Sequence, residues 1–162
     1  MKSHSMIAML ALAFMATGIR NVPAAAPAQL RIEAPWARET AEGQRDGGGF
    51  MTIVNDGKSA DQLVAASSPV SAEVQIHTVQ LENGMMRMRE LPEGIAIPAQ
   101  GRVELKPRSL HIMFIKLQRP LRAGEKVPVT LKFRAGGEQT VMMEVRAMAA
   151  SMMSPMPAPP AK

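Results

Sequence analysis

Short runs of alternating apolar and polar residues, separated by turn-forming residues, fill the sequence from about residue 30 to residue 147. An apolar–polar alternation of period two indicates strands with one buried face. Gly136 and Gly137 separate residues 127–133 from residues 139–145, which predicts a final hairpin. We find no long stretch with helical periodicity. The pattern therefore predicts an all-β domain of roughly eight short strands, either a β-sandwich or a Greek-key β-barrel.

The two ends of the chain differ in composition from this body. Lys2 gives a positive start, residues 6–19 are mostly apolar, and residues 24–28 offer small-residue cleavage sites. This apolar run is shorter than the roughly 20 residues that a transmembrane helix needs. We therefore predict a cleaved signal peptide at residues 1–26, a periplasmic location and no membrane span in the mature chain; a retained N-terminal anchor is the alternative.

The last residues form a second distinct segment. From Met148 onward the sequence is dominated by Ala, Ser, Met and Pro. Prolines so closely spaced do not fit a regular strand ladder, so we predict a flexible Met- and Pro-rich tail at residues 149–162. The domain itself is expected to occupy residues 27–148.

The absence of cysteine from the sequence excludes several classes of function. A disulfide, a cysteine nucleophile, a zinc–thiolate site and a blue-copper centre all require a cysteine sulfur. The formal net charge of +5 is spread along the chain without a run of Lys or Arg, and aromatic residues make up only 3% of the sequence. We therefore expect no binding of nucleic acid.

Each of the two histidines outside the leader has a methionine near it in sequence. His77 and Met88 lie on either side of Asn83-Gly84, a dipeptide that strongly favours a two-residue hairpin loop. Such a loop places His77 opposite Glu90 and Val79 opposite Met88. His77 and Met88 are then diagonal neighbours on one face of the hairpin, with backbones about 7–8 Å apart.

The second pair, His111 and Met113, shares a face because residues i and i+2 of a strand point the same way. Leu110, Ile112 and Phe114 take the other face, which we assign to the core. Imidazole and thioether ligands without thiolate or carboxylate favour copper, above all Cu(I). The sequence therefore predicts one Cu(I) site with four ligands, which are His77, Met88, His111 and Met113.

The same residues also allow an interpretation without a metal site. Surface histidines are commonly just solvated, and methionine in a strand is commonly core filler. On that reading the chain is an exported β-sandwich adhesion or assembly module, and His77 and His111 lie far apart.

Residues 47–121 resemble the periplasmic copper chaperones of the PCu(A)C type, whose signature is His-x10-Met-x21-His-x-Met. His77 and Met88 keep the ten-residue gap, and His111-x-Met113 keeps the last element. The flanking segments GGGFMTIVNDG and LHIMFIKLQRPL also resemble the family. The gap from Met88 to His111 is one residue longer than the signature, so Met86, on the same predicted face as Met88, stays an alternative ligand. Relatives often carry Met beside the first histidine, where this chain has Thr78.

The resemblance implies a cupredoxin-like barrel, not an enzyme, that binds Cu(I) and hands it to the copper centres of a haem-copper (cytochrome c) oxidase. The implied partners are the copper ion and either a copper-receiving oxidase subunit or another copper chaperone. A copper sequestration or resistance protein without a dedicated oxidase partner would use the same ligands. A copper redox enzyme is disfavoured, because there is no third histidine in the mature chain and no tyrosine.

Overall fold

A computed structural model describes residues 29–147. The predicted signal peptide and the predicted tail both lie outside these residues. Within residues 29–147 every regular element is a strand, and no helix there is long and apolar enough to cross a membrane.

Ten strands follow one another along the described chain. In order they are β1 (Leu30–Arg38), β2 (Gly47–Asn55), β3 (Asp61–Ser67), β4 (Ser71–Glu82), β5 (Met85–Glu90), β6 (Ile95–Ile97), β7 (Gly101–Leu105), β8 (His111–Leu117), β9 (Lys126–Phe133) and β10 (Gly137–Arg146).

Seven of these strands close into a barrel. The neighbours around the barrel are β4, β8, β2, β1, β10, β9 and β3, and β3 pairs with β4 to complete the circuit. Strands β5, β6 and β7 are attached to β4, β3 and β2 respectively. All pairs are antiparallel except β1 with β10, which is parallel. The all-β barrel predicted from the alternation is confirmed, with two more strands than the estimate of eight.

The core lies inside the barrel and follows the period-two alternation. On β8, Ile112 and Phe114 are fully buried in the barrel, as predicted, and Leu110 packs against them from just before the strand. Burying a side chain of this size contributes about 1.5–3 kcal/mol. Among the described methionines, only Met51 and Met143 belong to the core. The other methionines within residues 29–147 therefore do not serve as core filler.

The hairpin between β4 and β5 has the predicted turn and the predicted register. Asn83 and Gly84 have φ of +50° and +77°, as both central residues of a type I′ turn require. His77 pairs with Glu90 and Val79 pairs with Met88. The Asn-Gly dipeptide thus determines which side chains of β5 share the face of His77.

A bulge in β1 could not be read from the sequence. The β1–β2 register shifts between Glu33 and Trp36, and Ala34 in between has φ of +45°. One extra residue on β1 reverses the faces of the residues that follow it. Ala37 consequently enters the core, and Trp36 turns to the outer face opposite Phe50.

Gly94 provides a test of how closely the β5–β6 connection packs on β3. Gly94 has φ of +83°, and a Cβ built on it would lie 1.9 Å from the carbonyl oxygen of Leu63. Gly43 has a similar φ of +78°, but a Cβ there would meet nothing within 4 Å. Gly94→Ala should therefore lower the free energy of unfolding by about 1–3 kcal/mol more than Gly43→Ala does, as measured by urea denaturation. Equal losses would show that only the shared backbone strain matters.

Candidate metal centre

The two histidines face each other on neighbouring strands. His77 of β4 and His111 of β8 are register partners, and their ring centroids are 5.7 Å apart with a 57° angle between the planes. Metal–imidazole bonds are about 2 Å long, so two rings at this separation need only small rotations to share one ion. The assembly-module reading placed these histidines far apart, and the structure contradicts that expectation.

Both predicted methionine ligands lie diagonally from His77 on the same outer face. Met113 is the partner of Gln75, two residues before His77, and Met88 is the partner of Val79, two residues after it. Met86 pairs with Leu81, one further step along the hairpin. The geometry therefore favours Met88 over Met86.

The site lies at the edge of an open cleft of about 1010 Å³. Met86, Met88, His111 and Met113 all line this cleft. His111 is only 6% exposed, whereas Met88 is 51% exposed. One side of the candidate site is thus held in the wall of the barrel, and the other side reaches into solvent.

Hydrogen bonds determine which nitrogen of each histidine is free. His111 Nδ1 lies 2.9 Å from the carbonyl oxygen of Ser109, so it is the donor, and Nε2 keeps the lone pair. Gln75 donates its amide to Glu73 at 2.9 Å, which turns the Gln75 oxygen to His77 Nε2 at 2.8 Å. His77 Nε2 must then carry the proton, and the lone pair lies on Nδ1.

His77 Nδ1 is the observation that best fits a metal ligand. This nitrogen is buried and has no hydrogen-bond partner among the described residues. A buried polar atom without a partner is costly, and a coordinated cation would satisfy its lone pair. The free nitrogens, His77 Nδ1 and His111 Nε2, belong to rings that face each other.

The surroundings of His77 favour its neutral form. Burial lowers the pKa of His77, and the nearby His111 lowers it further, while Glu90 across the hairpin acts in the opposite direction. A neutral imidazole has the lone pair that a metal requires. Within residues 29–147 no group of three or more His, Cys, Asp or Glu is placed to hold a metal. An ion at this site therefore depends on thioether ligands, and that dependence favours a soft ion.

Phe50 and Trp36 form an aromatic wall beside His111. The ring centroids of Phe50 and His111 are 6.3 Å apart, and those of Trp36 and Phe50 are 4.4 Å apart. This wall lies next to His111, which is itself largely buried. The position of Trp36 in this wall depends on the β1 bulge.

Comparison with known proteins identifies the family. The model of the LpqE-like family matches residues 30–145. "Putative lipoprotein Lxx21020" of Leifsonia xyli subsp. xyli is 31% identical over 117 residues, covering 72% of this chain and 69% of that protein. Protein RP573 of Rickettsia prowazekii is 28% identical over 123 residues, covering 74% of this chain and 68% of that protein.

Two solved structures similar to this chain are described as copper-bound. The copper-bound PCuAC domain from PmoF2 superposes with a TM-score of 0.63 at 26% identity, covering 75% of this chain and 96% of that domain. The solution structure of CuI-DR1885 from Deinococcus radiodurans has a TM-score of 0.57 at 28% identity, covering 80% of this chain and 83% of that one. The cupredoxin-like barrel expected from the sequence is confirmed. The chain belongs to the LpqE-like family and has a domain of the PCuAC type.

Proposed function

We propose that this protein is a Cu(I) carrier that holds the ion with His77, Met88, His111 and Met113 and is not an enzyme. The observation that carries the proposal is the direct pairing of His77 with His111 on the outer face of the barrel. A methionine lies diagonally from His77 on each side. Two similar domains are described as copper-bound and as CuI-bound, which supports copper as the ion.

The chemistry of the ligand set accounts for the oxidation state. Two thioethers and two neutral imidazoles bring no negative charge, so the ligands leave the ion's charge uncompensated. Such a set favours monovalent over divalent copper, and the thioether sulfurs favour a soft ion. Copper is thus the cargo of the protein and is bound without a change in its oxidation state.

A carrier must also release its ion, and the geometry of the site suits this step. The histidines lie on two paired barrel strands, whereas Met88 lies on β5, which pairs only with β4. We propose that an acceptor displaces the exposed Met88 first and the buried His111 last. Exchange of one ligand at a time avoids a free ion.

For the acceptor and the location we propose a haem-copper oxidase and the periplasm. The predicted signal peptide supports export, and a relative carries the name of a lipoprotein. A sequestration protein would use the same ligands without an oxidase partner. Transfer of Cu(I) from the loaded protein to an isolated copper-receiving oxidase domain separates the two functions.

Single substitutions of methionine by leucine test the ligand set. Met88→Leu and Met113→Leu keep most of the side-chain volume and remove the sulfur, so each should weaken Cu(I) binding on the order of tenfold or more. Met86→Leu is expected to bind as the unsubstituted protein does, and so is Met142→Leu, an exposed control on β10. Affinities are measured by anaerobic competition with a chromophoric Cu(I) chelator. If Met86→Leu weakened Cu(I) binding and Met88→Leu did not, Met86 would be the ligand in place of Met88.

Gln75→Leu tests how the His77 ring is positioned. Without the Gln75 oxygen, no hydrogen bond from the described residues keeps the proton on His77 Nε2. The two neutral tautomers should then mix, and Cu(I) affinity should fall about tenfold. Long-range ¹H–¹⁵N spectra of the copper-free protein report the tautomer directly. Gln80→Leu, an exposed change on the other face of β4, is the matched control. If His77 kept its Nε2–H tautomer in Gln75→Leu, Gln75 would not be what positions the His77 ring.

The pH dependence of copper binding follows from the lowered pKa of His77. Protons compete with copper for imidazole nitrogen, so affinity should be level above about pH 6.5 and should fall as the histidines protonate. Glu90→Gln removes the influence that raises the His77 pKa. The fall due to His77 should therefore move to lower pH in this variant. An affinity that stays level down to pH ~5 would contradict histidine ligation.

A further inference from the structure

Two arginines stand directly beside each other on the outer face next to the candidate metal centre. Arg38 of β1 and Arg146 of β10 are register partners in the parallel pair. Like charges placed directly opposite each other in a sheet destabilise it. The barrel core gains nothing from this pairing, since both side chains lie outside it. Such an arrangement calls for an explanation outside the fold.

Aromatic rings hold both guanidinium groups in place. The guanidinium carbon of Arg38 is 6.0 Å from the centroid of Phe50, and that of Arg146 is 5.5 Å from the centroid of Trp36. At these distances the face of each ring attracts the cation beside it. The rings also restrict the motion of the two long side chains, so less entropy is lost when a ligand binds to them.

The positive charge of the two arginines is only partly compensated by nearby carboxylates. Arg146 has Glu144 at 3.5 Å, and this carboxylate is itself 56% exposed. Within residues 29–147, no carboxylate forms an ion pair with Arg38, and its Nε is buried without a hydrogen-bond partner. The positive charge of Arg38 is therefore uncompensated, and its Nε–H has no hydrogen-bond acceptor among the described residues.

The position of the pair relates it to the metal centre. Arg38 and Arg146 line the same cleft as His111, Met113 and Met88. A Cu(I) ion held by neutral ligands would add positive charge to this cleft. The cleft lining also includes Lys106 and Arg108 together with Asp46 and Glu104, so four basic side chains face two acidic ones. A protein that approaches to exchange copper therefore meets a surface of net positive charge, and complementary charge directs such an encounter.

We propose that Arg38 and Arg146 form a docking site for a carboxylate group on an acidic segment of the copper-exchanging protein. Guanidinium groups bind carboxylates through paired, charge-assisted hydrogen bonds. The identity of the partner rests on the proposed function, whereas binding of a carboxylate by the pair does not require copper. The site holds the partner beside the metal centre while the ligands are exchanged.

Trp36 makes this site directly observable. It is the only tryptophan of the chain, and it lies under Arg146. The probe is acetyl-tetraglutamate amide, titrated into the copper-free protein at low salt, with acetyl-tetraglutamine amide as the uncharged control. We expect a saturable change in Trp36 fluorescence with the glutamate peptide only. Arg38→Gln and Arg146→Gln should each weaken this binding at least tenfold, and Arg134→Gln, an exposed change away from the cleft, should not.

Several outcomes would overturn the proposal. These are an absent or unsaturable response, an equal response to the glutamine peptide, an equal loss in Arg134→Gln, and tighter binding of inorganic phosphate than of the glutamate peptide. If a substitution unfolds the domain, the Nε resonances of Arg38 and Arg146 in the unsubstituted protein give the same answer, because bound carboxylate should shift them. Cu(I) affinity is measured separately. If the protein binds the peptide but not Cu(I), only the proposed function is wrong. If it binds Cu(I) but not the peptide, only the docking site is wrong.

Discussion

The candidate site depends on the antiparallel register between β4 and β8. That register sets His77 directly opposite His111, and because side chains alternate, both histidines lie outside the barrel while Ile76 and Ile112 lie inside it. A slip of one residue in either strand would turn a histidine into the barrel core and an isoleucine out of it. The burial of those isoleucines therefore holds the two imidazoles at their separation. Core packing and site geometry are two consequences of one pairing.

Around this pair the site combines a fixed side with an exposed side. His111 is held by the carbonyl of Ser109 and lies beside the ring of Phe50, and His77 is oriented through Gln75. Met88 lies on β5, all of whose residues are exposed. Fixed imidazoles lower the cost of organising the ligands when the ion binds, and an exposed thioether gives an acceptor a place to begin. The proposed carrier needs both properties.

Neutral metal ligands and charged arginines lie side by side on this face of the barrel. The proposed ligands are neutral when the histidines are unprotonated, and burial, with His111 nearby, lowers the pKa of His77 and so favours that form. The surrounding cleft, by contrast, carries Arg38 and Arg146 side by side. Neutral ligands suit a monovalent ion, and a cleft lined by four basic and two acidic side chains suits an acidic partner. The aromatic pair Trp36 and Phe50 lies between the arginines and His111, and so it contacts both groups.

The sequence by itself determined the local parts of this protein. Alternation predicts the strands and the faces of Ile112 and Phe114, and Asn83-Gly84 predicts the register between His77 and Met88, because both rules act over a few residues. The tertiary structure alone decided which distant strands pair. Nothing local in the sequence places β8 beside β4, bends β1 so that Trp36 faces outward, or sets Arg38 against Arg146. Those contacts join residues far apart in the chain, and they are selected by closure of the barrel around one shared core.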